Sequence, residues 1–160
     1  MQIATTRFGD ITVSDQKIIH FDEGLPGLED FRKFALLSTA DTEPFHWLQS
    51  LDKPDVSLAV INPYRLFSDY KPMIAEDVFA QLGVEETEDV LVLTVAVIPQ
   101  DFKKMTTNLL APILINTKNN TGRQVILENG DYNLRQSIYN EIREIVCEGG
   151  TPDAGTDSQA

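Results

Sequence analysis

Residue types that carry out acid–base or nucleophilic chemistry are few in this chain. His20 and His46 are its only imidazoles, and Cys147 is its only thiol. A nucleophilic hydrolase needs a nucleophile with a base in hydrogen-bond reach, but both histidines fall in predicted strands far in sequence from Cys147. No pair has zinc-site spacing, and one cysteine excludes a multi-thiolate site and an internal disulfide. The sequence predicts no catalytic centre, no metal and no cofactor.

Two other patterns resemble chemical motifs but are incomplete. Gly24-Leu-Pro-Gly27 lacks the strand–loop–helix context and the lysine of a phosphate-binding loop. The adjacent carboxylates Glu85-Glu86 and Glu88-Asp89 carry little weight as acid–base pairs, because such pairs are common in an acidic chain. We therefore interpret the protein as a binding module.

The charge of the chain is strongly negative and unevenly distributed. The net charge is −12, and no basic residue lies between Lys71 and Lys103. The acids within that stretch are Glu76, Asp77, Glu85, Glu86, Glu88, Asp89 and Asp101. This balance argues against nucleic acid as a partner, because phosphates must be neutralised by Lys and Arg. The stretch is either a solvated face or a surface complementary to a basic protein.

The elements that position these residues are organised around 91–116. Two apolar, β-branched runs, Val90–Ile98 and Ile113–Asn116, are bounded by prolines and predict two buried strands at the centre of an all-β core. The loop between them holds Met105, Thr106, Thr107, Asn108, Leu109 and Leu110. This loop is either a plug that closes one end of a barrel or a recognition surface on a rigid scaffold.

Alternation and turn residues predict further strands on both sides of this centre. They are predicted at Ile3–Thr6, Ile11–Val13, Ile18–Phe21, Phe45–Leu51, Val56–Ile61, Ile115–Thr117 and Gln124–Leu127. Phe34–Ser38 fits either a strand or, together with Phe31, a helical turn. A short helix is predicted over Ile74–Leu82, with Gly83 as its stop. The pattern is mostly β and favours a small, single-domain, β-barrel-like fold.

Aromatic residues follow the strand that ends at Asn62-Pro63. Tyr64, Phe67 and Tyr70 are either a satellite cluster of the core or binding residues, since tyrosine is enriched in interface hot spots. The longest uncharged apolar run, Val90–Pro99, is about half the length of a membrane helix. The N-terminus lacks a secretory signal pattern. We expect a cytoplasmic protein, a monomer, with no membrane partner.

Four separated blocks of this sequence resemble one known family. They are FDEGLPGLEDFRKF at Phe21–Phe34, FHWLQSL at Phe45–Leu51, VINP at Val60–Pro63 and KMTTNLLAPILIN at Lys104–Asn116. Together they are similar to the bacterial flagellar assembly factor FliW family. The resemblance covers 1–132 and departs from shorter members beyond Leu134.

The resemblance implies a β-barrel-like fold, no enzymatic activity and two protein partners. These partners are the RNA-binding translational regulator CsrA and flagellin. The family relieves CsrA repression of flagellin mRNA, and flagellin competes for the antagonist. The acidic stretch Glu76–Asp101 either mimics RNA phosphates or belongs to a mechanism in which binding elsewhere on CsrA weakens RNA binding. The resemblance favours the second mechanism.

The resemblance also frames the predicted domain organisation. Residues 1–133 form a FliW-like barrel domain, 134–148 an amphipathic helix and 149–160 a disordered acidic tail. The helix carries a stripe of Leu134, Ile138, Ile142, Ile145 and Val146, and docks on its own barrel or on a partner.

Partner-binding residues are predicted from composition and loop placement. They are Tyr64, Phe67, Tyr70, Glu85, Glu86, Glu88, Asp89, Met105, Thr106, Asn108, Leu109 and Leu110. Two alternatives remain open. One is a flagellin chaperone without regulator binding, which an exposed apolar groove would mark. The other is a ligand-binding barrel or an enzyme with His20 or His46 in a pocket.

Overall fold

A computed structural model describes residues 2–128 and 131–149. Within these residues the chain forms eleven strands and three α-helices. The strands are β1 Gln2–Thr5, β2 Gly9–Thr12, β3 Ile18–His20, β4 Lys33–Ser38, β5 His46–Ser50, β6 Ser57–Ile61, β7 Val90–Val97, β8 Thr106–Thr107, β9 Ile113–Asn116, β10 Thr121–Gln124 and β11 Gln136–Ser137. The helices are α1 Pro63–Leu66, α2 Glu76–Gln81 and α3 Tyr139–Gly149.

Seven strands close into a barrel in the order β3, β4, β5, β6, β7, β9 and β10. Neighbours in this order are antiparallel, and β10 returns to β3 through a parallel pairing of Thr121 with His20. The long strand β7 pairs with β9 through its first half and with β8 through Ala96 and Val97. The predicted mostly β, barrel-like architecture is confirmed.

The barrel interior is filled by apolar side chains from nearly every strand. Its buried members are Ile19, Phe21, Leu25, Phe34, Leu48, Val60, Leu93, Ile113 and Ile115. The rings of Phe21 and Phe34 meet edge to face with centroids 5.4 Å apart. Strand β10 contributes Gly122, where a Cβ would lie 2.7 Å from the Phe21 ring. The close packing of these side chains counts against the alternative of a ligand-carrying barrel.

The outer wall of the barrel is covered by other elements, which explains why several strands are apolar on both faces. The β1–β2 hairpin covers Ile18 and Ala35, and α2 covers Leu114. Helix α3 packs its buried Ile142, together with Ile138 just before the helix, onto Trp47 and its neighbours. The C-terminal helix therefore docks on its own barrel.

The two helices predicted from periodicity are shorter than predicted. Helix α2 spans Glu76–Gln81, within the predicted Ile74–Leu82, and Gly83 follows its end with φ +71°. Helix α3 begins at Tyr139 and not at Leu134, because Gln136 and Ser137 pair with β8. Leu134 was included in the apolar stripe because it lies four residues before Ile138, but its side chain is exposed.

The strand boundaries also differ in places from the sequence prediction. Lys33–Ser38 is a strand, so Phe34–Ser38 forms a strand and not the alternative helical turn. Strand β10 is Thr121–Gln124, where the prediction gave Gln124–Leu127. Beyond β10 the backbone N–H groups of Val125 and Leu127 bond to loop carbonyls instead. Of the predicted disordered tail 149–160, residues 150–160 lie outside the described part of the chain.

Candidate protein-binding groove

A groove runs along the first half of strand β7, between α1, α2 and the segment that joins them. Its volume is about 520 Å³. It is lined by Asn62, Tyr64, Tyr70, Lys71, Pro72, Ile74, Phe79, Thr87, Val90, Leu91 and Val92. We call it the tyrosine groove. Apolar and aromatic side chains with a few polar groups are typical of a binding site.

Helix α1 places one tyrosine at the mouth of this groove. Asn62 caps the helix by accepting a 2.9 Å hydrogen bond from the backbone N–H of Tyr64, and Pro63 occupies the first helical position. Tyr64 is 41% exposed. The Asn-Pro pair that follows β6 therefore turns the chain and leaves the Tyr64 ring partly exposed to solvent.

Three tyrosines pack together at one end of the groove. The Tyr70 ring centroid lies 5.6 Å from that of Tyr64 and 4.8 Å from that of Tyr132. The Tyr70 hydroxyl donates to the carbonyl oxygen of Leu109 at 2.7 Å, and the Tyr132 hydroxyl accepts from the backbone N–H of Lys71 at 2.8 Å. Burial raises the pKa of both Tyr70 and Tyr64, with a smaller contribution from the neighbouring tyrosines. Tyr70 and Tyr64 therefore stay neutral near pH 7.

Exposed acids stand beside the tyrosine groove. Thr87 lines it, and the flanking Glu86 and Glu88 are exposed, as is Glu85. Asp89 is half-buried, and its carbonyl oxygen accepts from the backbone N–H and the hydroxyl of Thr117. Helix α2 brings Phe79 into the lining and carries Glu76 and Asp77 in its first turn. We call Glu76, Asp77, Glu85, Glu86, Glu88 and Asp89 the acidic rim.

The loop from Met105 to Leu110 alternates between buried and half-buried side chains. Met105, Thr107 and Leu109 are buried, whereas Thr106, Asn108 and Leu110 are half-buried. Thr107 is held by 2.8 Å hydrogen bonds to the Thr94 hydroxyl and the Val95 carbonyl. The inward side chains pack as the plug interpretation expects, and the outward ones leave a polar surface.

The histidines and the cysteine do not converge. His20 is exposed on β3, His46 is half-buried on β5, and Cys147 is exposed on α3. Within residues 2–128 and 131–149, no group of three or more His, Cys, Asp or Glu could hold a metal ion. In the same residues, no helix is long and apolar enough to span a membrane.

Comparison with known proteins agrees with the barrel and with the sequence blocks. The family model described as FliW protein matches residues 2–138. The chain belongs to the FliW family. It is 39% identical over 144 residues to the flagellar assembly factor FliW of Thermoanaerobacter pseudethanolicus, covering 89% of this chain and 96% of that protein. It is 38% identical over 141 residues to the FliW of Clostridium beijerinckii, covering 88% and 100%.

A solved FliW structure shares the fold. The crystal structure of the flagellar assembly factor FliW superposes with a TM-score of 0.80 at 33% identity, covering 86% of this chain and 96% of that one. The family resemblance carried by the four sequence blocks is thereby confirmed, as is the barrel. The protein is a member of a family of flagellar assembly factors.

The structure brings some of the predicted binding residues of this FliW member together and separates others. Tyr64 and Tyr70 share the groove with Thr87, between Glu86 and Glu88. Leu109 joins this cluster through Tyr70, and Phe67 and Leu110 pack beside it. Met105 instead packs beneath α3, whereas Thr106 and Asn108 line a different groove. Whether these residues contact a partner remains a prediction.

Sequence reasoning missed several residues that line the groove or pack beside it. Tyr132 lies 62 positions after Tyr70 in the chain, so no local spacing could pair the two rings. Ile74 and Phe79 were assigned to the core stripe of the predicted helix over Ile74–Leu82, yet both also line the groove. Their half-buried state was the missing information, because helical periodicity identifies an apolar face without showing how fully it is covered.

Proposed function

We propose that this FliW-family protein binds the translational regulator CsrA through the tyrosine groove and the acidic rim. By this binding it relieves CsrA repression of flagellin mRNA, and flagellin competes with CsrA for the protein. No catalytic step is assigned to it. Because CsrA and mRNA meet in the cytoplasm, we propose the same location for this protein.

One observation carries the proposal: an apolar, tyrosine-lined groove, whose single basic lining residue is Lys71, lies beside exposed acids of residues 72–102, a stretch without a basic residue. A protein that binds RNA presents a basic surface, and its attraction to the acidic rim speeds encounter. The groove supplies the apolar area that a long-lived complex needs, because rim charges alone contribute little affinity. The ion pairs Lys53–Asp55 and Arg123–Glu23 involve none of the rim acids.

The acidic rim does not by itself support a mechanism in which the protein mimics RNA and blocks the RNA site of CsrA directly. A phosphate mimic needs only charge, whereas here exposed acids stand next to Thr87 in the wall of an apolar groove. We therefore favour a mechanism in which CsrA is held at a surface apart from its RNA site and RNA binding is weakened by coupling. A complex of all three components, detected by cross-linking or native mass spectrometry, is the expected signature.

Isothermal titration with CsrA from the same organism tests the proposal. We expect binding that is lost when a flagellin fragment is already bound. Tyr64→Ala should weaken CsrA binding by about tenfold, because tyrosine hot spots contribute roughly 1–2 kcal/mol or more. Phe102→Ala is the matched control, since Phe102 is also an exposed aromatic residue but does not line the groove.

Two outcomes would count against this function. Flagellin binding without any CsrA binding would identify a flagellin chaperone. If neither Tyr64→Ala nor Phe102→Ala changed the affinity for CsrA, CsrA would bind a surface other than the tyrosine groove.

A further inference from the structure

A fully buried amide lies in the barrel wall, away from the tyrosine groove. It belongs to Gln49 of the sequence block FHWLQSL, which is on β5 and is 0% exposed. Its Nε2 atom donates to three backbone carbonyl oxygens in and around the turn between β5 and β6, those of Ser50, Pro54 and Val56, at 3.0, 3.1 and 3.1 Å. The side chain therefore ties this turn to the wall.

The surroundings of the Gln49 amide fix its orientation. In the flipped amide, Oε1 would face the three carbonyl oxygens, and oxygen atoms that only accept hydrogen bonds repel each other. Nε2 therefore faces the turn and Oε1 faces away from it. The carbonyl oxygen of Pro54 also accepts from the backbone N–H of Thr6 in the β1–β2 hairpin, at 3.1 Å. The amide and the hairpin are thus held at the same carbonyl.

Among the described residues, two neighbouring buried oxygen atoms have no hydrogen-bond partner in the protein. They are Gln49 Oε1 and Ser57 Oγ, whose residues are register partners on β5 and β6. The backbone N–H of Ser50 donates to the Val56 carbonyl, so Gln49 and Ser57 form the adjacent non-hydrogen-bonded pair, in which facing side chains are closest. Native proteins pair nearly all such buried atoms, because an unsatisfied one is costly.

The neighbours of this pair are small and apolar, so they do not supply the missing partner. Ala35 lies opposite Gln49 on β4, and Ala59 lies two residues beyond Ser57 on the same face of β6. Both alanines are buried, and the β1–β2 hairpin packs on Ala35. Two polar atoms beside methyl side chains, under a covering hairpin, are the kind of setting in which buried water is found.

We propose that Gln49 Oε1 and Ser57 Oγ bind one buried water molecule beneath the β1–β2 hairpin. The water donates one hydrogen to Gln49 Oε1 and makes its second hydrogen bond with the Ser57 hydroxyl, and two polar partners suffice for such a site. The competing arrangement is a direct hydrogen bond from the Ser57 hydroxyl to Gln49 Oε1. The inference is independent of what binds the tyrosine groove.

A crystal structure of the full wild-type chain, at a resolution that shows ordered water, tests the site without depending on any variant folding. We expect a water molecule about 2.5–3.0 Å from both Gln49 Oε1 and Ser57 Oγ. A direct hydrogen bond between these two atoms would overturn the proposal. So would a well-resolved site in which neither atom contacts water.

Urea denaturation of two substitutions at Ser57 distinguishes the water from a direct bond in solution. Ser57→Ala should raise the unfolding equilibrium constant by about threefold or less, because the water keeps its bond to Gln49 Oε1. Ser57→Val should raise it by roughly tenfold or more, because the larger side chain displaces the water and leaves Oε1 without a donor. Equal effects of the two substitutions would indicate a direct bond, since each then removes the only donor, and would overturn the proposal.

The matched control repeats Ser57→Val in a Gln49→Met background. Methionine has a similar length but no amide oxygen, so displacing the water there should change the unfolding equilibrium constant by about threefold or less. If Ser57→Val raised this constant equally in the wild-type and Gln49→Met backgrounds, the loss would come from crowding in the wall. That result would also overturn the proposal.

Discussion

The Tyr70 hydroxyl donates a 2.7 Å hydrogen bond to the backbone carbonyl oxygen of Leu109, 39 residues later in the chain. This bond connects the tyrosine groove to the segment from Met105 to Leu110, because Tyr70 lines the groove and Leu109 belongs to that segment. Tyr70 thus holds the segment from Met105 to Leu110 against the tyrosine groove.

Replacing Tyr70 by phenylalanine tests the strength of this connection. The variant keeps the ring but leaves the buried Leu109 carbonyl without its donor, which costs about 1–3 kcal/mol of unfolding free energy. Urea denaturation measures the loss. Tyr132→Phe is the control and should cost less, because its hydroxyl bonds at a more exposed position. If both variants lost the same unfolding free energy, the Tyr70–Leu109 hydrogen bond would contribute no more to stability than the exposed bond of Tyr132.

Because of the buried Tyr70 hydroxyl, we expect the folded protein to lose stability at high pH. Burial raises the pKa of Tyr70, so the folded protein keeps its proton where an unfolded tyrosine ionises. This contribution is fully present below the unfolded pKa of about 10 and is lost as the pH rises above it. Urea denaturation at pH 8 and at about pH 11 should show a larger loss for the wild type than for Tyr70→Phe. If the wild type and Tyr70→Phe lost the same unfolding free energy between the two pH values, ionisation of Tyr70 would not contribute to the alkaline loss of stability.

Gly122 is required by the packing of the barrel interior. A Cβ at this position would lie 2.7 Å from the Phe21 ring, so Gly122→Ala should destabilise the fold by about 1–3 kcal/mol. Thermal denaturation provides the measurement. In a Phe21→Leu background the same substitution should cost less, because the ring that the methyl group meets is absent. If Gly122→Ala destabilised the wild type and the Phe21→Leu variant equally, the loss would come from the backbone at residue 122 and not from the contact with the Phe21 ring.

The acidic rim should act mainly on the rate of association with CsrA. Changing Glu85, Glu86 and Glu88 together to Lys should lower the association rate constant about tenfold or more at low salt and remove its salt dependence. Surface plasmon resonance at several salt concentrations measures both effects. The control changes the exposed Asp10, Asp15 and Asp41 to Lys, which alters the net charge equally. A similar effect of both triple variants would indicate net charge, not a local surface.

The docking of α3 predicts an asymmetric response to mutations on its two faces. Ile142 is 6% exposed and packs with Ile138 and Trp47, so Ile142→Ala should lower the unfolding free energy by about 2–4 kcal/mol. Val146→Ala on the exposed face should change it by less than about 0.5 kcal/mol. Chemical denaturation followed by Trp47 fluorescence measures both. A small effect of Ile142→Ala would mean that the helix is held weakly.

The sequence by itself determined the fold class, the main strands and the family. Periodicity identified Phe45–Leu51 and Val90–Ile98 as strands apolar on both faces, because each must pack inside the barrel and beneath a covering element. The acid-only stretch after Lys71 was equally visible in the chain. Each of these properties depends on residues that are close in sequence.

Tertiary structure alone decided which surfaces these elements form. The ring contact of Tyr70 with Tyr132 and the bond of Tyr70 to Leu109 join distant segments, so no local pattern contains them. The start of α3 at Tyr139 was also decided by a distant partner, since β11 pairs with β8. Side-chain period fixes which face of a strand is apolar, but the distant pairing partner decides whether that face is covered.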